Sequence, residues 1–145
     1  MGIRDSGGRK YKVVLDTNLY VSAFLCPDGV VARIAEQARR AIFLPVISPF
    51  IMNELGHILR TKTEANDAAI IAYLKQIAQS AIIVQPETVE RVVPNDPDDD
   101  HIVACAIAGN ADLIVSGDKH LRNLGSSGSI PIVHPTDFAR MLGGM

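Results

Sequence analysis

The sequence predicts a three-layer α/β/α domain around a central, mainly parallel sheet. Three observations carry that prediction. Short Val-, Ile- and Leu-rich runs alternate with segments of helical periodicity, and strands joined through helices favour parallel pairing with right-handed crossovers. Hydrophobic residues make up 48% of the chain but aromatics only 5%, an aliphatic balance suited to a sheet covered on both faces. The length of 145 residues is enough for one domain with a real core.

The elements follow in order. Residues 1–10 are polar and Gly-rich and are expected to form a flexible arm, leaving 11–142 as the folded domain. Tyr11 to Asp16 is a β-branched apolar run, hence a strand. Thr17 to Leu25 and Val30 to Arg40 read as helices parted by the Pro27-Asp28-Gly29 turn. Ile42 to Ile47 is a strand. Ser48 then supplies an N-cap and Pro49 the first position of a helix running to about Arg60. Glu64 to Ser80 is a second strong helix and Ala81 to Val84 a short strand. A Pro/Asp-rich loop over Arg91 to Asp99 precedes a helix from His101 to Ala108, which stops at Gly109-Asn110. Asp112 to Ser116 is a strand, Asp118 to Leu124 a short helix, and Ile130 to Val133 a last strand before a terminal helix at Thr136. That helix is expected to fray at Leu142 to Met145, where Gly143 and Gly144 stop it.

Composition excludes several classes of function. A formal net charge of −2 gives no overall basic field for nucleic acid, so any such contact requires a local patch or a bound cation. Cys26 and Cys105 lie in apolar surroundings without metal-knuckle spacing and are expected to be reduced core residues. The N-terminus lacks the apolar segment of a signal peptide. The apolar stretch Ala41 to Met52 is too short and too proline-broken to cross a bilayer. The expectation is a cytoplasmic protein with no membrane contact.

The acids carry the chemistry. In open parallel sheets ligands bind beyond the carboxyl ends of the strands. Asp16 follows Val13-Val14-Leu15, and Asp118 follows Leu113-Ile114-Val115-Ser116-Gly117. A carboxylate ending a buried strand is partly desolvated, which costs energy unless a cation compensates; alternatively, each acid simply caps the helix after it. Glu54 lies one turn from both Phe50 and Ile58, on the margin of the apolar stripe Ile51, Leu55, Ile58 and Leu59. The plain alternative is a glutamate reaching to solvent from a helix edge.

Asp96, Asp98, Asp99 and Asp100 put four acids in five residues, more than one helix cap needs. Asp100 precedes Val103 and Ile107 by three and seven positions, which directs it toward the buried stripe and makes it the expected inward-facing acid, with Asp98 second. Four acids in one cleft repel one another, and a hard divalent cation with oxygen ligands is the natural remedy. His57, His101, His120 and His134 have no zinc-like spacing, and the chain has no Gly-rich phosphate loop and no Gly-x-Ser-x-Gly elbow.

These residues resemble the PIN-domain family, particularly its VapC-like toxin ribonuclease branch. The motifs are Val13-Val14-Leu15-Asp16-Thr17-Asn18, Ser48-Pro49 through Glu54-Leu55, Asp96-Pro97-Asp98-Asp99-Asp100-His101, and Ala111-Asp112-Leu113-Ile114-Val115-Ser116-Gly117-Asp118-Lys119. They fall in family order between Tyr11 and about Pro135. The resemblance implies a PIN-like fold and a Mg²⁺ or Mn²⁺ site formed by Asp16, Glu54, Asp100 and Asp118, supported by Asn18 and Ser116. It also implies hydrolysis of RNA phosphodiester bonds, an antitoxin protein partner and a homodimer. Phosphate contacts are expected among Arg33, Arg39, Arg40, Arg60, Lys62, Lys119 and Arg122, most of which are as readily plain surface charges, with Lys119 favoured because it adjoins Asp118. Two other readings stand beside this one: a metal-dependent phosphatase, which normally needs an Asp where this chain has Asn18, and a non-catalytic PIN-fold binding module.

Overall fold

The structure, a computed structural model, describes residue 4 and residues 7–93, 96–123, 126–127 and 130–143. The strands are β1 (Lys12–Leu15), β2 (Leu44–Ile47), β3 (Ile82–Ile83), β4 (Leu113–Val115), β5 (Ser126–Ser127) and β6 (Ile130–Val133). The helices are α1 (Thr17–Leu25), α2 (Val30–Arg39), α3 (Pro49–Lys62), α4 (Asp67–Ser80), α5 (Pro97–Ala108), α6 (Lys119–Arg122) and α7 (Pro135–Met141). Among the described residues the strand order is β3-β2-β1-β4-β6-β5. Pairing is parallel from β3 through β6, with β5 antiparallel at the edge. The architecture is the expected three-layer α/β/α domain.

Chain direction explains where this fold can hold a ligand. From β1 the chain moves outward through β2 and β3, then returns to the other side of β1 as β4 and continues to β6. The order therefore reverses between β1 and β4, and at such a switch point the connections leave a crevice beyond the carboxyl ends of the strands. The two strands are held in register, with Leu15 opposite Val115. At their other ends the Lys12 N–H donates to Asp112 Oδ2 (2.8 Å).

Packing follows the sequence pattern. Val13, Val14, Ile114 and Val115 are wholly buried, as strands covered on both faces require. On α3, Ile51, Leu55 and Leu59 form the buried stripe, and Ser48 caps the helix by accepting from the Ile51 N–H (3.3 Å). Helix α5 lies along β1, β2 and β4 and touches α3. It ends through Gly109, after which Asn110 takes a left-handed conformation (φ 49°) that asparagine tolerates.

Several expectations are corrected. Helix α5 begins at Pro97 rather than at His101, so Pro97-Asp98-Asp99 belongs to its first turn and not to the preceding loop, because proline at the first helical position gives up no bonded N–H. Helix α4 begins at Asp67 behind an Asn66 cap, not at Glu64. Strand β5 was not signalled by any apolar run. Cys105 is buried as expected, but Cys26 is exposed, since it ends α1 at the turn through Pro27. Ile107 is exposed too. The expected end of α6 at Leu124 lies outside the described residues, as do Gly144 and Met145 and much of the 1–10 arm; within the arm, Arg4 and Lys10 form an antiparallel bridge.

A methyl group added at Gly109 would come within 2.6 Å of Val46 Cγ1 on the buried face of β2. Gly109→Ala is therefore expected to lower stability by about 1–3 kcal/mol through overpacking, seen as a Tm several degrees lower in a thermal melt.

Candidate metal centre

The site grows from the β1–β4 junction. The Asp16 N–H donates to the Val115 carbonyl (3.0 Å), so the two strand ends are stitched together one residue beyond the sheet. The buried Ser116 hydroxyl donates to Asp16 Oδ2 (2.7 Å) and accepts from the Asp118 N–H (2.9 Å). One side chain thus fixes the rotamer of the first acid and the backbone that carries the second. Asp16 Oδ1 also accepts from the Asn18 N–H (3.4 Å), so the helix-capping reading of Asp16 holds together with its place in the site.

Helix α5 supplies the third acid, Asp99, and α3 supplies Glu54. One carboxylate oxygen from each of Asp16, Asp99 and Asp118 lies within 4.8 Å of the others. These acids, with Glu54, Asp96 and Asp98, line a cleft of about 230 Å³. Asp99 Oδ2 is buried with no hydrogen-bond partner among the described residues, a costly state for a carboxylate unless a cation meets it. The donor set is all oxygen, which suits Mg²⁺ or Mn²⁺ and suits soft, thiolate-seeking metals poorly.

Crowding shows in the acidities. Burial is the main cause that raises Asp16 above the usual carboxylate range; Ser116 and the Asn18 N–H oppose it, and the charges of Asp118 and Asp96 add to it. Burial likewise pushes Asp99 up to about 8, reinforced by the approach of Asp96 and by the charges of Asp118 and Asp16. Glu54 rises to about 7 through burial, helped by Asp98. The Thr17 hydroxyl offsets part of that shift, and among the described residues the buried Thr17 Oγ1 has no hydrogen-bond partner.

A family model for the PIN domain matches residues 12–120, a span that takes in β1, the acids of α3 and α5, and Asp118. The chain belongs to the PIN domain family. An uncharacterized protein of Methanocaldococcus jannaschii is 30% identical over 119 residues, covering 79% of this chain and 76% of that protein. VapBC2 from Rickettsia felis, solved bound to a DNA fragment from its promoter, matches the fold with a TM-score of 0.61 at 16% identity over 85% of this chain and 98% of that one. A Pyrobaculum aerophilum protein gives 0.61 at 15% identity over 94% and 91%. VapBC-1 from nontypeable Haemophilus influenzae gives 0.58 at 16% identity over 86% and 98%.

Within this PIN domain the structure brings Asp16, Glu54 and Asp118 into one cleft, with Asn18 on its wall and Ser116 beneath it. It does not bring Asp100 there. Asp100 Oδ1 accepts from the Val92 and Val93 N–H groups (2.9 and 2.8 Å). Asp100 lines a larger cleft of about 400 Å³ with Val103, Ala104 and Ile107. The periodicity linking Asp100 to Val103 and Ile107 is real, but that face of α5 looks away from the β1–β4 junction. The face that looks toward it carries Asp98, Asp99 and Ile102. Lys119 is exposed and absent from the lining, where the basic side chain is Lys62. Lys62, one of the expected phosphate candidates, falls eight residues after Glu54, on the same row of the helix.

Two outcomes follow from the acids. Asp99 titrates at about 8 when folded against 3.8 as a free side chain, and Glu54 at about 7 against 4.5. Between those limits the folded state binds more protons than the unfolded one, so the ion-free protein should lose stability as pH rises from about 4 to about 8. Mn²⁺ should raise Tm more at pH 8 than at pH 5, and Asp99→Asn should flatten both trends in thermal melts. Asp100→Ala should instead lower Tm equally with and without Mn²⁺, by leaving two backbone N–H groups unpaired at about 1–3 kcal/mol, whereas Asp100→Asn keeps the acceptor and most of the stability.

Proposed function

We propose that this PIN domain is a divalent-metal-dependent ribonuclease that hydrolyses RNA phosphodiester bonds as the toxin component of a toxin–antitoxin system. The observation that carries the reading is the meeting of Asp16, Asp99 and Asp118 carboxylate oxygens within 4.8 Å, together with the buried Asp99 Oδ2, which has no hydrogen-bond partner among the described residues. Such a group is expensive without a cation and well made for one.

Asp16, Asp99 and Asp118 are assigned as ligands for Mg²⁺ or Mn²⁺, and Asp100 is withdrawn from that role. When bound, the ion supplies Lewis-acid activation of water and phosphate. Glu54, facing the cluster from α3 with its acidity shifted to about 7, orients the attacking water and takes up its proton. Ser116 keeps Asp16 in one rotamer, so the ligands stay fixed while the phosphate enters. The open, polar cleft admits a backbone phosphate, which a closed apolar pocket would exclude.

The likeness in fold to VapBC proteins and to FitAcB from Neisseria gonorrhoeae, the latter at a TM-score of 0.54, supports extending the proposal to partners. They are RNA as substrate, an antitoxin protein that covers the cleft, and a second copy of this chain in a homodimer. No helix among the described residues is long and apolar enough to cross a membrane, in keeping with a proposed cytoplasmic site of action.

The test is cleavage of single-stranded RNA by the purified protein with Mn²⁺, with chelator, and with Asp16→Asn. The wild type should cut only with the ion. Asp16→Asn should be inactive with an unchanged circular-dichroism spectrum. Equal cutting in chelator, or full activity in the variant, would overturn the mechanism.

A further inference from the structure

Helix α3 presents a long row to the cleft. Phe50, Glu54, Ile58 and Lys62 recur at every fourth position, neighbours along a helix surface, and at 1.5 Å per residue the row spans about 18 Å. Glu54, Ile58 and Lys62 all line the acidic cleft. Phe50, at the head of the row, lies flat on the ring of His101 from α5, with centroids 3.5 Å apart and planes within 6°. His101 stands one turn beyond Asp98, which lines the same cleft. Phe50 remains 37% exposed although one ring face is covered by the imidazole.

We infer that this row is a track for a single-stranded nucleic-acid chain, with an unpaired base stacking on the Phe50–His101 pair and Lys62 receiving a backbone phosphate at the far end. The inference rests on the nuclease reading and deepens it. The chemistry at the two ends is complementary. A flat exposed ring accepts any nucleobase through its π-face, but only where the base is not already stacked inside a duplex. The ammonium of Lys62 pairs with phosphate without reading sequence. Glu54 lies between these ends, one turn from the ring and two turns from the lysine. A strand held at both ends therefore passes its intervening phosphates over the carboxylate cluster. That hold is needed because a cleft lined by six acids repels the backbone it must bind. If the ring pair served only to staple α3 to α5, it would be indifferent to the presence of a base.

The test compares a short single-stranded RNA oligomer with versions lacking one base at a time. In Mn²⁺-dependent cleavage, Phe50→Ala should raise KM about tenfold with kcat little changed, and Phe50→Tyr should restore wild-type KM. One abasic position should weaken the wild type and have no further effect in Phe50→Ala. Lys62→Ala should raise KM and lower the salt dependence of binding by about one unit of log–log slope. Anisotropy binding of the same oligomers to the Asp16→Asn protein separates the two readings. Absence of cutting overturns the nuclease assignment alone, while binding that ignores Phe50 and the abasic position overturns the track. A Phe50→Ala protein that changes mass in solution but binds RNA normally assigns the ring to a protein contact, which also overturns it.

Discussion

The Ser116 hydroxyl occupies the point where two parallel strands end. It donates to Asp16 and accepts from the backbone of Asp118, and so ties together acids that like-charge repulsion would separate. Because the residue is wholly buried, both bonds act in a low-dielectric setting where geometry is held firmly. Everything that converges on the cleft does so around this fixed pair. The β1–β4 register places it, and the reversal of strand order leaves the space above it open.

Like charge is the constraint that shapes the surroundings. Burial first, and the neighbouring carboxylates second, push the pKa values of Asp16, Glu54 and Asp99 up, and among the described residues a carboxylate oxygen of Asp99 has no hydrogen-bond partner. This tension sits in a fold of aliphatic strands under helices, of which α3 and α4 are capped by Ser48 and Asn66. Helix α5 shows how local the cost is. Asp99 points into the cleft, while the next residue, about 100° around the helix, spends its carboxylate on the loop before the helix. One acid stores tension and its neighbour pins the element that supplies it.

Helix α3 links the architecture to a substrate. Its inner stripe of Ile51, Leu55 and Leu59 builds the core, and the row beside that stripe forms a wall of the cleft. The same rotation that buries the leucines therefore sets Glu54 toward the acids and Lys62 along the rim. The surface proposed for an extended chain arises at no extra structural cost, because the helix has to lie there to cover the sheet.

Much of this was legible in the amino-acid order. The alternation of aliphatic runs with helical periods determined the parallel α/β class, and acids just beyond Val13-Val14-Leu15 and Leu113-Ile114-Val115 determined where a site would open, since ligands in such sheets bind beyond the carboxyl ends of the strands. Glu54 was visible as a charge on the margin of an apolar stripe. Which acid of Asp98-Asp99-Asp100 joins Asp16 and Asp118 in the cluster was not, because all three favour a helix N-terminus equally. A one-residue step there changes the face. Only the tertiary structure, by starting α5 at Pro97 and laying it across β1, β2 and β4, decided for Asp99. The stacking of Phe50 on His101 was likewise hidden, because it joins residues 51 positions apart on helices whose relative rotation no local pattern encodes.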